Sequence, residues 1–162
     1  MHGEPQLFEM LTLELFQSGL SWLTILRKRE NFGAAFEGWD IERIASYGEA
    51  EVDRLLADAG IVRNRAKIQA TVANAGAVGE LWARGETLDK LLWSFAPPPR
   101  GVPPATGDEL ESKTAESVAM SRELKRQGFV FVGPTTAYSL MQAAGLVDDH
   151  LAGCEFGGAG GA

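Results

Sequence analysis

The chain has 162 residues, 45% of them hydrophobic, with 15 lysines and arginines against 22 aspartates and glutamates for a formal net charge of -7. That length supports one domain with a real core, and that apolar content excludes general disorder. No apolar run reaches the roughly 18 residues of a membrane span, no basic-then-apolar start marks a secretory leader, and a single cysteine, Cys154, excludes an internal disulfide framework. A soluble cytoplasmic protein is the expectation. The acidic balance argues against a uniformly basic surface for nucleic acid. Three local clusters run the other way: Arg27-Lys28-Arg29, then Arg63, Arg65 and Lys67, then Lys125-Arg126. They fit either one basic face or three separate solvated patches.

Helical periodicity recurs along the chain, and strand signals are almost absent. Leu7, Met10, Leu11 and Leu13 begin an apolar helix that ends near Gly19. Ser21 is placed to cap the next, which carries Leu23, Leu26 and Phe32. Asp40 caps a short helix with Ile41 and Ile44, and Val52, Leu55 and Leu56 mark another, closed by Gly60. Ile68 and Val72 open a helix toward Leu81 and Trp82, and Thr87 caps one through Leu91 and Leu92. Residues 96–104, Ala-Pro-Pro-Pro-Arg-Gly-Val-Pro-Pro, cannot be helical and read as a long surface loop. Too little chain follows for a second domain. Thr114 or a neighbour starts a helix through Met120 and Leu124 to Gly128, and a last amphipathic helix runs to about Gly145. The prediction is an all-α fold of many short helices, one domain over 1–156, with a frayed glycine-rich tail at 157–162.

The most informative local pattern starts at Phe129 and reads Phe-Val-Phe-Val-Gly-Pro-Thr-Thr. It predicts a tight turn centred on Val132-Gly133-Pro134, then a helix with Pro134 in its first turn, where a missing N–H costs nothing. The free N–H groups there, from Thr135 onward, and the positive end of the helix dipole make an anion site suited to a phosphate. This is the logic of a helix-hairpin-helix, which grips a nucleic-acid backbone without reading sequence. Any helical hairpin with a Gly-Pro turn gives a similar pattern, so packing alone stays open. Residues 58–68 form a weaker candidate of the same sort.

Two further features invite chemistry. Glu14 sits among Leu11, Leu13, Leu15 and Phe16, where a carboxylate is costly without a partner. Gly19-Leu20 forms a turn with an apolar tip, and Trp22 follows it. A half-exposed helical glutamate, an ordinary core leucine and a core tryptophan are the plainer alternatives.

Taken together, the chain resembles the bacterial 3-methyladenine DNA glycosylase I family. The resemblance runs through Leu7-Phe8-Glu9-Met10, Gln17-Ser18-Gly19-Leu20-Ser21-Trp22, residues 26–32, residues 58–65, Leu92-Trp93-Ser94-Phe95 and residues 128–150, in order. It implies a helix-hairpin-helix glycosylase fold and hydrolysis of the N-glycosidic bond to 3-methyladenine in alkylated double-stranded DNA, by a monomer. Residues 129–145 contain no lysine, so no lyase activity is implied. The resemblance gives Glu14 the flipped base, Trp22 a stacking role on it, and Gly19-Leu20 the gap left in the duplex. Val132, Gly133, Pro134 and Thr135 become the DNA anchor, and Tyr138 and Gln142 border the pocket or the DNA.

The resemblance also implies a structural zinc, to which His150 and Cys154 supply half of the ligands. The other half comes, in the family, from a segment before the position of Met1, so an N-terminally truncated chain with only a zinc half-site is expected. Two residues depart from the family pattern. Asp148, beside Asp149, replaces an asparagine and reads as a turn cap, and Leu15 replaces a small residue and is expected to narrow the pocket. A non-catalytic DNA-binding module and an all-α scaffold unrelated to DNA are the competing readings.

Overall fold

The computed structural model describes residues 1–97 and 114–146, and every regular element among them is a helix. In chain order these are α1 (Glu4–Gln17), α2 (Trp22–Arg27), α3 (Arg29–Ala35), a 3-10 turn (Glu37–Trp39), α4 (Ile41–Ala45), α5 (Glu49–Leu56), α6 (Arg65–Ala83), α7 (Leu88–Trp93), α8 (Ala115–Arg126) and α9 (Pro134–Ala144). The expected all-α class stands. No described helix is long and apolar enough to cross a membrane.

The caps follow from short polar side chains placed where helix N–H groups lack partners. Ser21, Asp40, Asn64, Thr87 and Thr114 each accept from the backbone N–H three residues on. Four of the five were expected, and Asn64 was not. Two boundaries differ from expectation. The single helix expected after Ser21 is broken at Lys28, whose φ of -100° and ψ of 0° leave the helical region, giving α2 and α3. Gly60 does not close α5, which ends at Leu56 with Ala57 as its cap.

α1 is apolar nearly all round, and Leu7, Phe8, Leu11, Leu13, Leu15 and Phe16 are at most 1% exposed. A helix of that kind belongs in the middle of a core. It packs against α2, α6, α7 and α9. Its start is fixed by Glu4, whose carboxylate accepts from Trp82 Nε1 (2.8 Å) and from the Leu88 and Asp89 amides (2.7 and 2.8 Å) at the head of α7. Phe32, Phe36 and Trp39 stack in series beside it, and Phe16 of α1 meets Phe32 at an interplanar angle of 58°. α6 lies against α4 and α5, and α8 pairs with α9 as the helical hairpin.

Candidate functional site

Met10, Glu14 and Gln17 stand at i, i+4 and i+7 of α1 and so share a face. That face, Trp22 at the head of α2, and Ser139, Gln142 and Ala143 of α9 enclose a cavity of about 480 Å³. A second cavity of about 430 Å³ shares Glu14, Gln17 and Ser139 with it. Ser18, Gly19 and Leu20 line it on one side, Thr135 and Thr136 on the other. The structure therefore brings Glu14, Trp22, Gly19-Leu20 and the head of the hairpin's second helix around one hollow.

Among the described residues Glu14 is the only ionisable one lining either cavity. It is 6% exposed. Burial pushes its carboxyl up to about 7, with no hydrogen bond or charge from the described residues acting on it. A buried carboxylate normally has a partner; one that faces a cavity without one is suited to a ligand that supplies the missing donor or charge.

The turn after α1 is open to solvent. Gly19 has φ +81°, a region L side chains rarely adopt, and the Leu20 amide donates to the Gln17 carbonyl at 2.7 Å. Leu20 is 39% exposed, so the core alternative for it fails. Trp22 is half-buried with part of its surface on the cavity.

The hairpin turn is wider than the sequence suggests. It leaves α8 through Gly128 (φ +96°) and turns at Phe131, whose φ of +61° is unusual for an aromatic residue. Phe131 is 52% exposed and Val130 40% exposed. Val132 is buried, and its carbonyl accepts from Ser121 Oγ at 2.6 Å, so its side chain serves the core. Gly133 caps α9 without a side-chain bond, and Pro134 follows. The first intrahelical bond is from Ala137 N–H to the Gly133 carbonyl (2.8 Å), which leaves the Thr135 and Thr136 N–H groups ahead of the ladder. A Cβ built on Gly133 would meet no heavy atom within 4 Å, so this end is sterically open.

Several expectations are corrected by the geometry. Leu15 is 1% exposed and lines neither cavity, so it does not narrow the pocket. Tyr138 is 2% exposed and lines neither; its hydroxyl is buried without a hydrogen-bond partner among the described residues. Gln142 does border the larger cavity. The basic clusters are not one free face: Arg29 pairs with Glu9, Arg65 with Glu49 and Asp53, and Arg126 with Glu123. Lys67 turns inward, where its Nζ donates to the Phe16 and Ser18 carbonyls (2.9 and 2.7 Å) and burial lowers its pKa. Residues 58–68 are thus held by packing and ion pairs.

The family model for methyladenine glycosylase matches residues 1–157. The chain belongs to the methyladenine glycosylase family. Within that family, DNA-3-methyladenine glycosylase 1 of Escherichia coli (strain K12) is 47% identical over 150 residues, 92% of this chain and 80% of that one. A crystal structure of a 3-methyladenine DNA glycosylase I shares 44% identity and superposes with a TM-score of 0.93, covering 97% of this chain and 87% of that chain. A variant 3-methyladenine DNA glycosylase I, solved in complex with 3-methyladenine, shares 34% identity with a TM-score of 0.88, covering 96% of this chain and 84% of that chain. The fold of this methyladenine glycosylase family member is therefore the helix-hairpin-helix type expected from the sequence.

His150, Cys154, Asp148 and Asp149 lie outside the described residues. Among the described residues no group of three or more His, Cys, Asp and Glu side chains could hold a metal ion. A structural zinc needs four protein ligands, and the described residues do not complete such a set. His2 is engaged elsewhere, bonded to Asp89 (2.9 Å) and stacked on Trp93 at 4.5 Å.

Gln17, Thr136 and Ser139 line the cavities and were given no site role from the sequence, whereas Thr135 and Gln142 were. Gln17 extends the polar line begun by Glu14 on α1, while Thr135, Ser139 and Gln142 form an i, i+4, i+7 polar stripe on α9. Both stripes are visible in the sequence once the two helices are set facing each other.

Proposed function

We propose that this chain is a monofunctional DNA glycosylase that removes 3-methyladenine from alkylated double-stranded DNA by hydrolysis of the N-glycosidic bond. The observation that carries the reading is Glu14, a buried carboxylate with no partner among the described residues, facing the hollow between the Gly19-Leu20 turn and the head of α9. Family membership and the 3-methyladenine bound to a similar solved protein agree with it.

In this reading the Gly133-Pro134-Thr135 end of α9 takes a backbone phosphate on its free N–H groups, with Val132 setting the turn's backbone. Leu20 enters the space of the extruded nucleotide, and the base enters the cavity. Alkylation at N3 makes the base cationic. Glu14 then gains the charge partner it lacks, and Trp22 offers a ring face to the same cation. As the C1′–N9 bond breaks, its electron pair goes to the base, which leaves neutral, and water adds to C1′ and loses a proton to solvent to give an abasic site. Little general-acid catalysis is needed. Selective binding and a fixed anion are the main tools.

The same reading takes residues 1–156 as one domain with 157–162 as a tail, and the protein as a cytoplasmic monomer. It keeps His150 and Cys154 as a zinc half-site, to be checked by metal analysis of the purified chain; no step passes through a metal. The test is release of free 3-methyladenine from methylated duplex, compared between the parent and Glu14→Ala. Strong loss with duplex binding nearly unchanged is expected, and equal release removes Glu14 from the site.

A further inference from the structure

We infer that α6 is a strut that holds the two DNA-contacting elements in register, with Lys67 and Asn74 as its positioning residues. This rests on the assignment of the Gly19-Leu20 turn and the hairpin as DNA contacts given above. Lys67 and Asn74 are seven residues apart, about two turns, so they share a face of α6 and stand about 10 Å apart along its axis. Both are polar and both are buried, at 9% and 1% exposed.

Each reaches out of its helix to the backbone of a distant segment. The Lys67 ammonium donates to the Phe16 carbonyl (2.9 Å) and to the Ser18 carbonyl (2.7 Å). Those carbonyls belong to the end of α1, which has no basic residue in its own last turn. Lys67 thus supplies from another helix the cation that a helix C-terminus favours. Ser18 immediately precedes Gly19, so the tie fixes the base of the exposed turn. Asn74 binds both polar groups of Val130: its Nδ2 donates to the Val130 carbonyl (3.2 Å), and the Val130 amide donates to its Oδ1 (2.8 Å). Val130 lies in the hairpin turn, three residues before Gly133.

The two tied segments lead into opposite walls of one cavity. Ser18, Gly19 and Leu20 line one wall; Thr135 and Thr136, just past the hairpin turn, line the other. A duplex that is gripped at a phosphate by the hairpin must receive Leu20 at a fixed distance from that phosphate. α6 is the common rigid body to which both are fastened, and supporting contacts of this sort set how well a site is preorganised. Side chains that merely filled the core would not need to be polar, since a buried polar group is costly unless it is bonded.

The test uses the full chain with Lys67→Met and Asn74→Ala. Amide hydrogen exchange is read at residues 18–20 and 129–132, beside duplex affinity and the single-turnover rate of 3-methyladenine release at saturating enzyme. Lys67→Met should slow the saturated rate about tenfold or more, hold duplex affinity within about twofold, and speed exchange only in the first segment. Asn74→Ala should weaken duplex affinity about tenfold, hold the saturated rate within about twofold, and speed exchange only in the second. Lys67→Cys followed by aminoethylation restores an ammonium at nearly the same reach and should recover the rate; the parent, treated alike, controls for Cys154. Asn74→Asp, which keeps the acceptor for the Val130 amide, should lie between parent and Asn74→Ala. Rate and affinity falling together in both variants, without rescue, would mean that the two residues only stabilise the fold, and would overturn the strut. Exchange at parental levels in both segments would overturn it too. A parent that releases no base, with exchange still responding segment by segment, would overturn the proposed function and support the strut.

Discussion

Glu14→Gln separates activity from stability at one atom pair. The shape is kept and the charge removed. The Glu14 carboxyl rises from 4.5 to about 7 through burial alone. At about 1.4 kcal/mol per unit, ionising it costs the free protein up to about 3 kcal/mol. Because the folded pKa lies above the unfolded one, the stability from this site is complete below pH 4.5 and is lost as pH rises through about 7. The cavity is partly open to solvent, and a neutral amide keeps some desolvation cost, so the net gain for the glutamine variant at pH 8 should be about 1–2 kcal/mol. For a chain of this size that raises Tm by about 2–8 °C. At pH 5 the gain should shrink to well under about 1 kcal/mol. Activity should move the other way: losing a charged interaction worth about 1.5–3 kcal/mol lowers kcat/KM roughly 10- to 150-fold. In the parent, kcat/KM should climb as pH rises through about 7, and that limb should be missing in the variant. Thermal melts at pH 5 and pH 8 and base release across the same range check both halves. A variant that is less stable at pH 8, or equally active there, would refute the reasoning.

Gly133→Val should weaken duplex affinity while leaving Tm nearly unchanged, since φ at Gly133 is -75° and its Cβ meets no neighbour; fluorescence anisotropy with a labelled duplex reads the affinity, and unchanged binding would remove the hairpin as anchor. Leu20→Ala removes a 39% exposed side chain, so stability should shift by less than about 0.5 kcal/mol. Its effect should be slower base release at saturating enzyme, and an unchanged rate would exclude Leu20 from extrusion. Trp22→Ala should narrow the preference for the cationic base over adenine by about 0.5–2 kcal/mol, read as relative affinity for the 3,9-dimethyladeninium cation and neutral 9-methyladenine; an unchanged ratio would leave Trp22 as a packing residue.

Local chemistry made much of this site legible. Glu14 stood out because a carboxylate in so apolar a run needs an explanation, and the structure buries it at the edge of a cavity. Ser21, Asp40, Thr87 and Thr114 were readable because a cap depends only on the next three residues. Lys67 was not, because Arg63 and Arg65 placed it in a surface cluster while its acceptors, Phe16 and Ser18, lie 51 and 49 residues away. Asn74 sits in the middle of a helix rich in alanine and glycine, where an amide ordinarily signals little. Its role comes from Val130, 56 residues downstream. The break at Lys28 carried no proline or glycine to announce it. The left-handed backbone at Phe131 is likewise set by the hairpin's closure on Asn74 and Ser121, not by any preference of phenylalanine.

The most direct measurement is release of free 3-methyladenine from methylated duplex DNA by this chain, with abasic sites counted in the same samples. The account predicts free 3-methyladenine and abasic sites in equal amounts, with no strand cleavage and with little release by Glu14→Gln. Duplex binding by the parent without any base release would contradict it.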